Sequence, residues 1–166
     1  MISVDLLLFD GEGKILLGKR ANEPASGSWF VPGGRVRKNE RVVDAASRIC
    51  LEELRLCLPP AGFRTLDAYE HVYTDRAQGR HFITFTVTGS VGACAVTAIN
   101  HDAQHTQVRW STVESLVVDP EVHLYVKSYF HPCPWNRIIG PGPVTTASAP
   151  PSALAPASQT GRHHLS

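Results

Sequence analysis

The sequence predicts a single α/β domain, and two observations support this prediction. The chain has 166 residues and is 43% hydrophobic, which is enough apolar material for one globular core. Residues 40–54 carry apolar side chains at helical spacing, whereas the apolar runs on either side have the composition of strands. A net charge of +1 gives no electrostatic basis for binding nucleic acid or an anionic membrane surface.

Three strands are predicted before the helix, separated by turns that contain glycine and proline. They cover residues 2–9, 14–18 and 29–31. Met1 leads straight into the first strand, without the charged segment that begins a secretory signal. No apolar run approaches the roughly 20 residues of a membrane span. The cysteines have no CxxC spacing, so we expect a reduced, cytoplasmic protein.

Further strands and a second helix are predicted after residue 54. The strands cover residues 63–73, 81–90 and 107–110, a helical turn covers 112–116, and the second helix covers 120–130. Pro120 would lie in the first turn of that helix, where proline is tolerated. From Pro132 the composition shifts to Pro, Ala, Ser, Thr and Gly. We therefore predict a folded domain at residues 1–131 and a disordered tail at 132–166.

The helix at 40–54 carries a carboxylate where its pattern calls for an apolar residue. Asn39 is the expected N-cap, and Val42 and Ile49 lie on the stripe that should face the core. Glu53 falls in the middle of the same stripe. An ionised carboxylate facing a core is costly without a partner, and a metal ion is the usual partner. Spacing alone leaves open the alternative that Glu53 ends the helix in solvent.

The same segment resembles the Nudix box, G-x5-E-x7-R-E-U-x-E-E-x-G-U, at the correct spacing. The matching positions are Gly34, Glu40, Arg48, Glu52, Glu53 and Leu56. Two positions depart from the motif, because Ile49 replaces a glutamate and Arg55 replaces a glycine. The resemblance implies an α/β/α sandwich with a mixed β-sheet, in which the box forms a loop, a helix and a second loop. It also implies Mg²⁺-dependent hydrolysis of a nucleoside diphosphate linked to another group.

Within that superfamily the chain resembles the GDP-mannose mannosyl hydrolases, which are also apolar at the Ile49 position. The similar segments are LLGKR at 16–20, ANEPASGSWFVPGGRV at 21–36 and QHTQVRW at 104–110. In that branch water attacks the sugar carbon rather than phosphorus. The resemblance therefore implies hydrolysis of a GDP-sugar, GDP-mannose first, to GDP and free sugar.

The resemblance also implies the ligands of the metal. The Gly33 carbonyl, the Glu53 carboxylate and Gln104 would hold Mg²⁺, an ion that prefers oxygen ligands. Glu52 is kept from the general box and is a candidate ligand, so a second metal ion remains an alternative. Arg48 precedes Glu52 by one turn and would orient it through an i, i+4 pair.

The remaining site residues would act on the substrate. Arg20 and Arg35 match arginines that contact the diphosphate, a task that suits the planar, permanently charged guanidinium; the alternative is a solvated surface charge. His105 matches the general base, and imidazole titrates in the range where it can accept a proton from water. Asp5 and His81 match positions near the sugar; the alternative for Asp5 is a polar residue at a strand edge.

Two other functions remain open. A Nudix pyrophosphohydrolase would attack phosphorus; Glu52 supports that alternative, whereas Ile49 and the Gln104–His105 pair oppose it. A non-catalytic protein that binds nucleotide sugars would explain the departures at Ile49 and Arg55. Relatives carry about a dozen residues before the strand that begins here at Ile2 and use them in dimer contacts. We therefore expect a monomer or a weakened homodimer, with a nucleotide sugar as the ligand and neither nucleic acid nor membrane as a partner.

Overall fold

The chain forms one mixed β-sheet with helices on both of its faces. The computed structural model describes residues 1–23, 25–74, 79–92, 105–131 and 137–139. Within these residues the strands are β1 (Ile2–Phe9), β2 (Ile15–Arg20), β3 (Trp29–Phe30), β4 (Gly33–Arg35), β5 (Arg64–Tyr73), β6 (Arg80–Ser90), β7 (His105–Ser111) and β8 (Arg137–Ile139). The helices are α1 (Val42–Leu54), α2 (Val113–Val118) and α3 (Leu124–Ser128). None of these helices is long and apolar enough to cross a membrane.

Strand β1 lies at the centre of the sheet. The strand order is β3-β2-β1-β6-β5-β8, with β4 paired to β1 and β7 paired to β2. β1 runs parallel to β6 and antiparallel to β2 and β4. The predicted strands agree with the observed ones within two residues at each end, and β4 and β8 have no counterpart among the predictions.

Alternation along β1 divides the core into two clusters. Val4, Leu6 and Leu8 pack with the buried face of α1, whereas Leu7 packs with the cluster on the other face of the sheet. Because successive side chains of a strand point to opposite faces, Asp5 lies on the Leu7 side. This places a carboxyl group in the layer that contains α3.

The prediction that Asn39 caps α1 is wrong. The helix begins at Val42, and its N-cap is Arg41, whose side chain makes no capping hydrogen bond. Glu40 instead accepts a hydrogen bond of 2.7 Å from the backbone N–H of Arg37, which closes a turn before the helix. Asn39 lies in this turn with φ = 62°, a left-handed conformation that asparagine tolerates.

The other end of α1 explains the departure at Arg55. Arg55 is the C-cap with φ = 59° and ψ = 26°, the left-handed conformation that usually favours glycine. Its backbone N–H donates to the carbonyl of Leu51 at 3.2 Å. Arg55 therefore performs the backbone role of the box glycine, and the departure leaves the helix end intact.

The prediction of a helix over 120–130 is wrong in its first half. Residues 121–123 run alongside β3: the Trp29 N–H donates to Glu121 O at 2.9 Å, and the His123 N–H donates to Trp29 O at 3.1 Å. Helix α3 begins only at Leu124, after His123, whose ring nitrogen accepts from the Tyr125 N–H at 3.2 Å. Backbone pairing with β3 thus prevents an earlier helical start.

The prediction of a disordered tail from residue 132 is wrong for residues 137–139. These residues form β8, which pairs antiparallel with β5 at the edge of the sheet. Arg137 Nε lies 3.2 Å from the carboxylate of Asp67, whose side chain is buried. The strand is therefore fixed by backbone pairing and by an ion pair. The remainder of the predicted tail, residues 132–136 and 140–166, lies outside the described residues.

We predict that Arg137→Ala destabilises the protein by about 2 kcal/mol, because a buried carboxylate that loses its cation retains its desolvation penalty. The double variant Asp67→Asn/Arg137→Ala should recover most of this loss, since the amide carries no charge. Urea denaturation measures both values. A single variant as stable as the wild-type protein would contradict the ion pair.

Candidate active site

A cavity of about 560 Å³ opens at the end of the sheet where α1 approaches β4. Its lining comes from α1, from strands β1 to β6, and from the loop that follows β2. Six of the residues predicted to form the site meet in it: Asp5, Arg20, Gly33, Arg35, Glu52 and Glu53. The structure therefore brings together side chains from four separate elements.

Two glycines allow the elements around the cavity to approach closely. A Cβ atom on Gly33 would lie 2.5 Å from Asp5 Oδ1, and one on Gly34 would lie 3.1 Å from Ile49 Cδ1 and 3.7 Å from Glu53 Oε1. No larger residue fits at Gly33 without displacing β1. The backbone of β4 thus lies between Asp5 on one side and Glu53 on the other.

The burial of Glu53 agrees with its place on the helical stripe. The residue is 4% exposed, and the stripe neighbours Ile49 and Cys50 are also buried. The alternative in which Glu53 ends the helix in solvent is therefore wrong. The side chain lines the cavity while its helix packs against the core.

The register of β4 orients the Gly33 carbonyl. Leu6 N–H donates to Pro32 O at 2.8 Å, and Val36 N–H donates to Ile2 O at 3.1 Å. Hydrogen-bonded and non-hydrogen-bonded residue pairs alternate in an antiparallel ladder. Gly33 and Asp5 therefore form a non-hydrogen-bonded pair. Its carbonyl is therefore directed away from β1.

This donor set fits Mg²⁺. A carboxylate and a backbone carbonyl are both hard oxygen ligands, which this ion prefers, leaving room for water and phosphate oxygens. Among the described residues no group of three His, Cys, Asp or Glu side chains could hold a metal ion. Among these residues, a metal site at the cavity would combine Glu53 with non-acidic oxygens such as the Gly33 carbonyl. Gln104, the third predicted ligand, lies outside the described residues.

Glu52 is held by two arginines. Arg48 Nη1 donates to one of its oxygens at 2.9 Å, and Arg37 Nη2 donates to the other at 3.2 Å. Arg48 also donates to both oxygens of Glu40, at 2.7 and 2.8 Å, and to the Arg35 carbonyl at 3.0 Å. The Arg48 guanidinium lowers the pKa of Glu40 to about 2. Arg48 thus fixes the loop after β4, as well as orienting Glu52 as predicted.

A chain of polar groups forms the inner wall of the cavity. The Tyr129 hydroxyl donates to Asp5 at 2.5 Å, and its oxygen lies 3.3 Å from His71 Nε2. His71 Nδ1 lies 3.1 Å from Thr84 Oγ1, which lies 2.8 Å from Ser3 Oγ. Because Tyr129 gives its one proton to Asp5, His71 Nε2–H donates to Tyr129 and Nδ1 accepts from Thr84.

Burial keeps this wall close to neutral. Desolvation raises the pKa of Asp5 to about 7, opposed by the hydrogen bond from Tyr129 and by the charge of Arg20. Desolvation also lowers the pKa of His71 to about 3. His71 is therefore an uncharged imidazole at neutral pH. The wall therefore presents hydroxyl groups, a neutral imidazole and a carboxyl group that ionises near neutral pH.

Sequence reasoning missed His71, although a signal was present. Asp67, Tyr69 and His71 alternate along β5, and all three are buried. A histidine on the buried face of a strand requires hydrogen-bond partners, so this alternation indicates a candidate site residue. His81, predicted instead, is exposed, pairs with Glu70 at 2.8 Å and does not line the cavity.

His105 lies next to the cavity but does not line it. The residue begins β7, pairs in register with Arg20, and is 6% exposed. Its ring packs over Gly18, where a Cβ atom would lie 2.2 Å from His105 Cδ2. The structure thus places the predicted base beside a cavity residue, with its ring against β2.

Comparison with known proteins identifies similar chains. The family model described as the NUDIX domain matches residues 1–131. The low-salt glycan biosynthesis protein Agl8 of Haloferax volcanii is 36% identical over 133 residues, covering 78% of this chain and 79% of that protein. The RNA pyrophosphohydrolase of Bartonella clarridgeiae is 27% identical over 146 residues, covering 75% and 84%.

Solved structures share the fold. The MutT protein from Methanosarcina mazei Go1 has a TM-score of 0.62 at 21% identity, covering 76% of this chain and 87% of that one. The NUDIX domain of Shewanella oneidensis NrtR, complexed with ADP ribose, has a TM-score of 0.59 at 23% identity, covering 76% and 83%. Together with the mixed sheet, these likenesses confirm the predicted fold class.

We predict that Asp5→Asn gains stability relative to the wild-type protein as pH rises. The unfolded carboxyl ionises near 3.8, whereas the folded one holds its proton until about 7. The stabilising contribution of Asp5 is thus complete below 3.8 and is lost as pH rises through 7. Asparagine cannot ionise, so the Tm difference between variant and wild type should grow from pH 4 to pH 8.

The matched control for this experiment is Asp44→Asn. Hydrogen bonding to Arg41 lowers the pKa of the exposed Asp44, which is therefore fully ionised in both states above pH 5. Its Tm difference from wild type should stay constant over pH 5 to 8. A constant difference for Asp5→Asn over the same range would contradict the raised pKa.

Proposed function

The chain belongs to the Nudix family of hydrolases, and on that premise we propose that it hydrolyses a nucleoside diphosphate sugar. GDP-mannose is the first candidate, with GDP and free sugar as products. One observation carries the proposal: the cavity is lined both by charged side chains and by a polar wall of lower charge. Arg20, Arg35 and Glu53 supply the charges. The wall lies around Asp5 and His71, where burial keeps His71 neutral and raises the pKa of Asp5 to about 7. A diphosphate and a hydroxyl-rich sugar require these two environments side by side.

The charged end suits a diphosphate. Arg20 lies over the Phe30 ring at 5.5 Å, a contact that supports its guanidinium beside the cavity. Arg35 has its backbone fixed by Arg48, while its side chain is exposed at the rim. Planar guanidinium groups pair with phosphate oxygens. Mg²⁺ held by Glu53 and the Gly33 carbonyl would supply positive charge next to the diphosphate.

The polar wall suits a sugar. Each sugar hydroxyl both donates and accepts a hydrogen bond. The oxygens of Ser3, Asp5 and Thr84 line the cavity and can accept. The Asp5 carboxyl can also donate while it holds its proton, because desolvation raises its pKa to about 7. The Haloferax relative also supports a sugar substrate, because its name assigns it to glycan biosynthesis. We therefore assign the sugar to the Asp5 end of the cavity.

His105 is the proposed base. It would take a proton from a water molecule that attacks the anomeric carbon, while the bond from that carbon to the diphosphate oxygen breaks. Arg20 and Arg35 would stabilise the negative charge on the departing GDP. No carboxylic acid is needed to protonate this leaving group, in contrast to ordinary glycosidases. The position of His105 opposite Arg20 on neighbouring strands supports this role.

A second candidate function is hydrolysis at phosphorus, which would release a nucleoside monophosphate. His105 packs over Gly18 and is not among the residues that line the cavity, which favours this second reaction. The similarity to a pyrophosphohydrolase from Bartonella also supports it. The two reactions differ in the bond that water attacks, so an isotope experiment separates them.

We predict that hydrolysis of GDP-mannose in ¹⁸O-labelled water places the label in the sugar and none in GDP. Water that attacks the anomeric carbon leaves its oxygen there, whereas attack at phosphorus labels a phosphate and yields GMP with a sugar phosphate. Mass spectrometry of the products distinguishes the outcomes. Label in a phosphate would refute attack at carbon and establish the second candidate.

We predict that His105→Ala lowers kcat by roughly 10²–10⁴-fold with a smaller change in KM, the usual scale for the loss of a general base. Gly18→Ala should also lower kcat, because its Cβ would lie 2.2 Å from the His105 ring and displace it. Gly11→Ala is the matched control, since nothing lies within 4 Å of its Cβ position. Near wild-type activity of His105→Ala would show that His105 is not the general base.

A further inference from the structure

Glu52 lines the cavity, and its carboxylate is paired with two arginine side chains of the protein. Both carboxylate oxygens accept hydrogen bonds, one from Arg48 at 2.9 Å and one from Arg37 at 3.2 Å. Because Arg48 also pairs with Glu40, two arginines and two glutamates form a neutral group, and Glu52 is neutralised without a metal ion. A metal ion at Glu52 would have to replace these contacts in the presence of two like charges.

Arg37 is held in place at its backbone. Its N–H donates to Glu40 at 2.7 Å, and Glu40 is itself held by Arg48. Ion pairs therefore link Glu40, Arg48, Glu52 and Arg37 in series, and the Arg37 backbone N–H closes the ring back to Glu40. The Arg37 side chain is 64% exposed, so Glu52 is its anchor at the rim of the cavity.

Ile49 lies on the face of α1 that lines the cavity, at a position where the general box has a glutamate. Its side chain is 2% exposed and approaches the Gly34 backbone, where a Cβ atom would lie 3.1 Å from Ile49 Cδ1. The glutamate of the general box would stand at this place. Ile49 is apolar and Glu52 pairs with arginines. Glu53, which is 4% exposed and lines the cavity, is the box-helix carboxylate proposed to hold the metal ion.

We propose that Arg37 is a built-in cation that occupies Glu52 and keeps a second divalent ion out of the site. The inference rests on the proposed function, because it presupposes that Glu53 binds one ion. In this proposal Arg37 pairs with Glu52, and Ile49 replaces the other glutamate of the box. Neither position then offers a carboxylate to a second ion. The wild-type protein then works with a single metal ion.

Mn²⁺ binding measured by electron paramagnetic resonance tests this role without reference to activity. The wild-type protein should bind one Mn²⁺ per chain. Arg37→Gln should bind two, with the second site tightened on the order of tenfold or more, because a positive charge next to a dication has been removed. Arg37→Gln/Glu52→Gln should return to one ion, and Arg37→Lys, which keeps the charge, should also bind one.

Arg41→Gln is the matched control. Arg41 is 75% exposed, pairs with Asp44 and does not line the cavity, so this variant should bind one Mn²⁺. A second ion in the wild-type protein, a single ion in Arg37→Gln, or a second ion in Arg37→Lys would each overturn the proposal. None of these results changes the ¹⁸O outcome, which tests the proposed function separately in the wild-type protein. Absence of any Mn²⁺ binding would overturn both.

Discussion

The carboxylate of Glu53 lies on the apolar stripe of α1, and the candidate site is arranged around that placement. The residue is 4% exposed, so its helix must pack closely while the carboxylate still reaches the cavity. Gly34 makes this approach feasible, because a side chain there would meet both Ile49 and Glu53. Pairing of β4 with β1 then sets Gly33 opposite Asp5, which places the backbone of β4 between Glu53 and the polar wall.

Charge compensation by arginine organises the rim of the same cavity. Arg48 ties Glu40, Glu52 and the Arg35 carbonyl together, so the loop after β4 and the helix behave as one unit. Glu52 is the neighbour of Glu53 in sequence, yet it faces guanidinium groups at the edge, and 49% of its side chain is exposed. Adjacent glutamates thus have different environments because helical geometry turns one toward the core and the other toward the rim.

The sequence predicted the parts that local pattern determines. The bounds of β1 and the inward position of Glu53 follow from alternation and helical spacing. The missed features depend on contacts between distant segments. Pairing of residues 121–123 with β3 moves the start of α3 to Leu124. The ion pair between Arg137 and Asp67 holds β8 at the edge of the sheet. The burial of His71, like the packing of His105 over Gly18, depends on which strands become neighbours in the sheet.

The central claim, that Glu53 rather than Glu52 holds the metal ion, is tested most directly by thermal unfolding in Mg²⁺. A ligand at about one hundred times its Kd stabilises the folded state by about 2.7 kcal/mol, which corresponds to a rise in Tm of roughly 5–10 °C for a domain of this size. Wild-type protein and Glu52→Gln should both show this rise, whereas Glu53→Gln should show none. A rise in Glu53→Gln equal to that of the wild-type protein would contradict the claim.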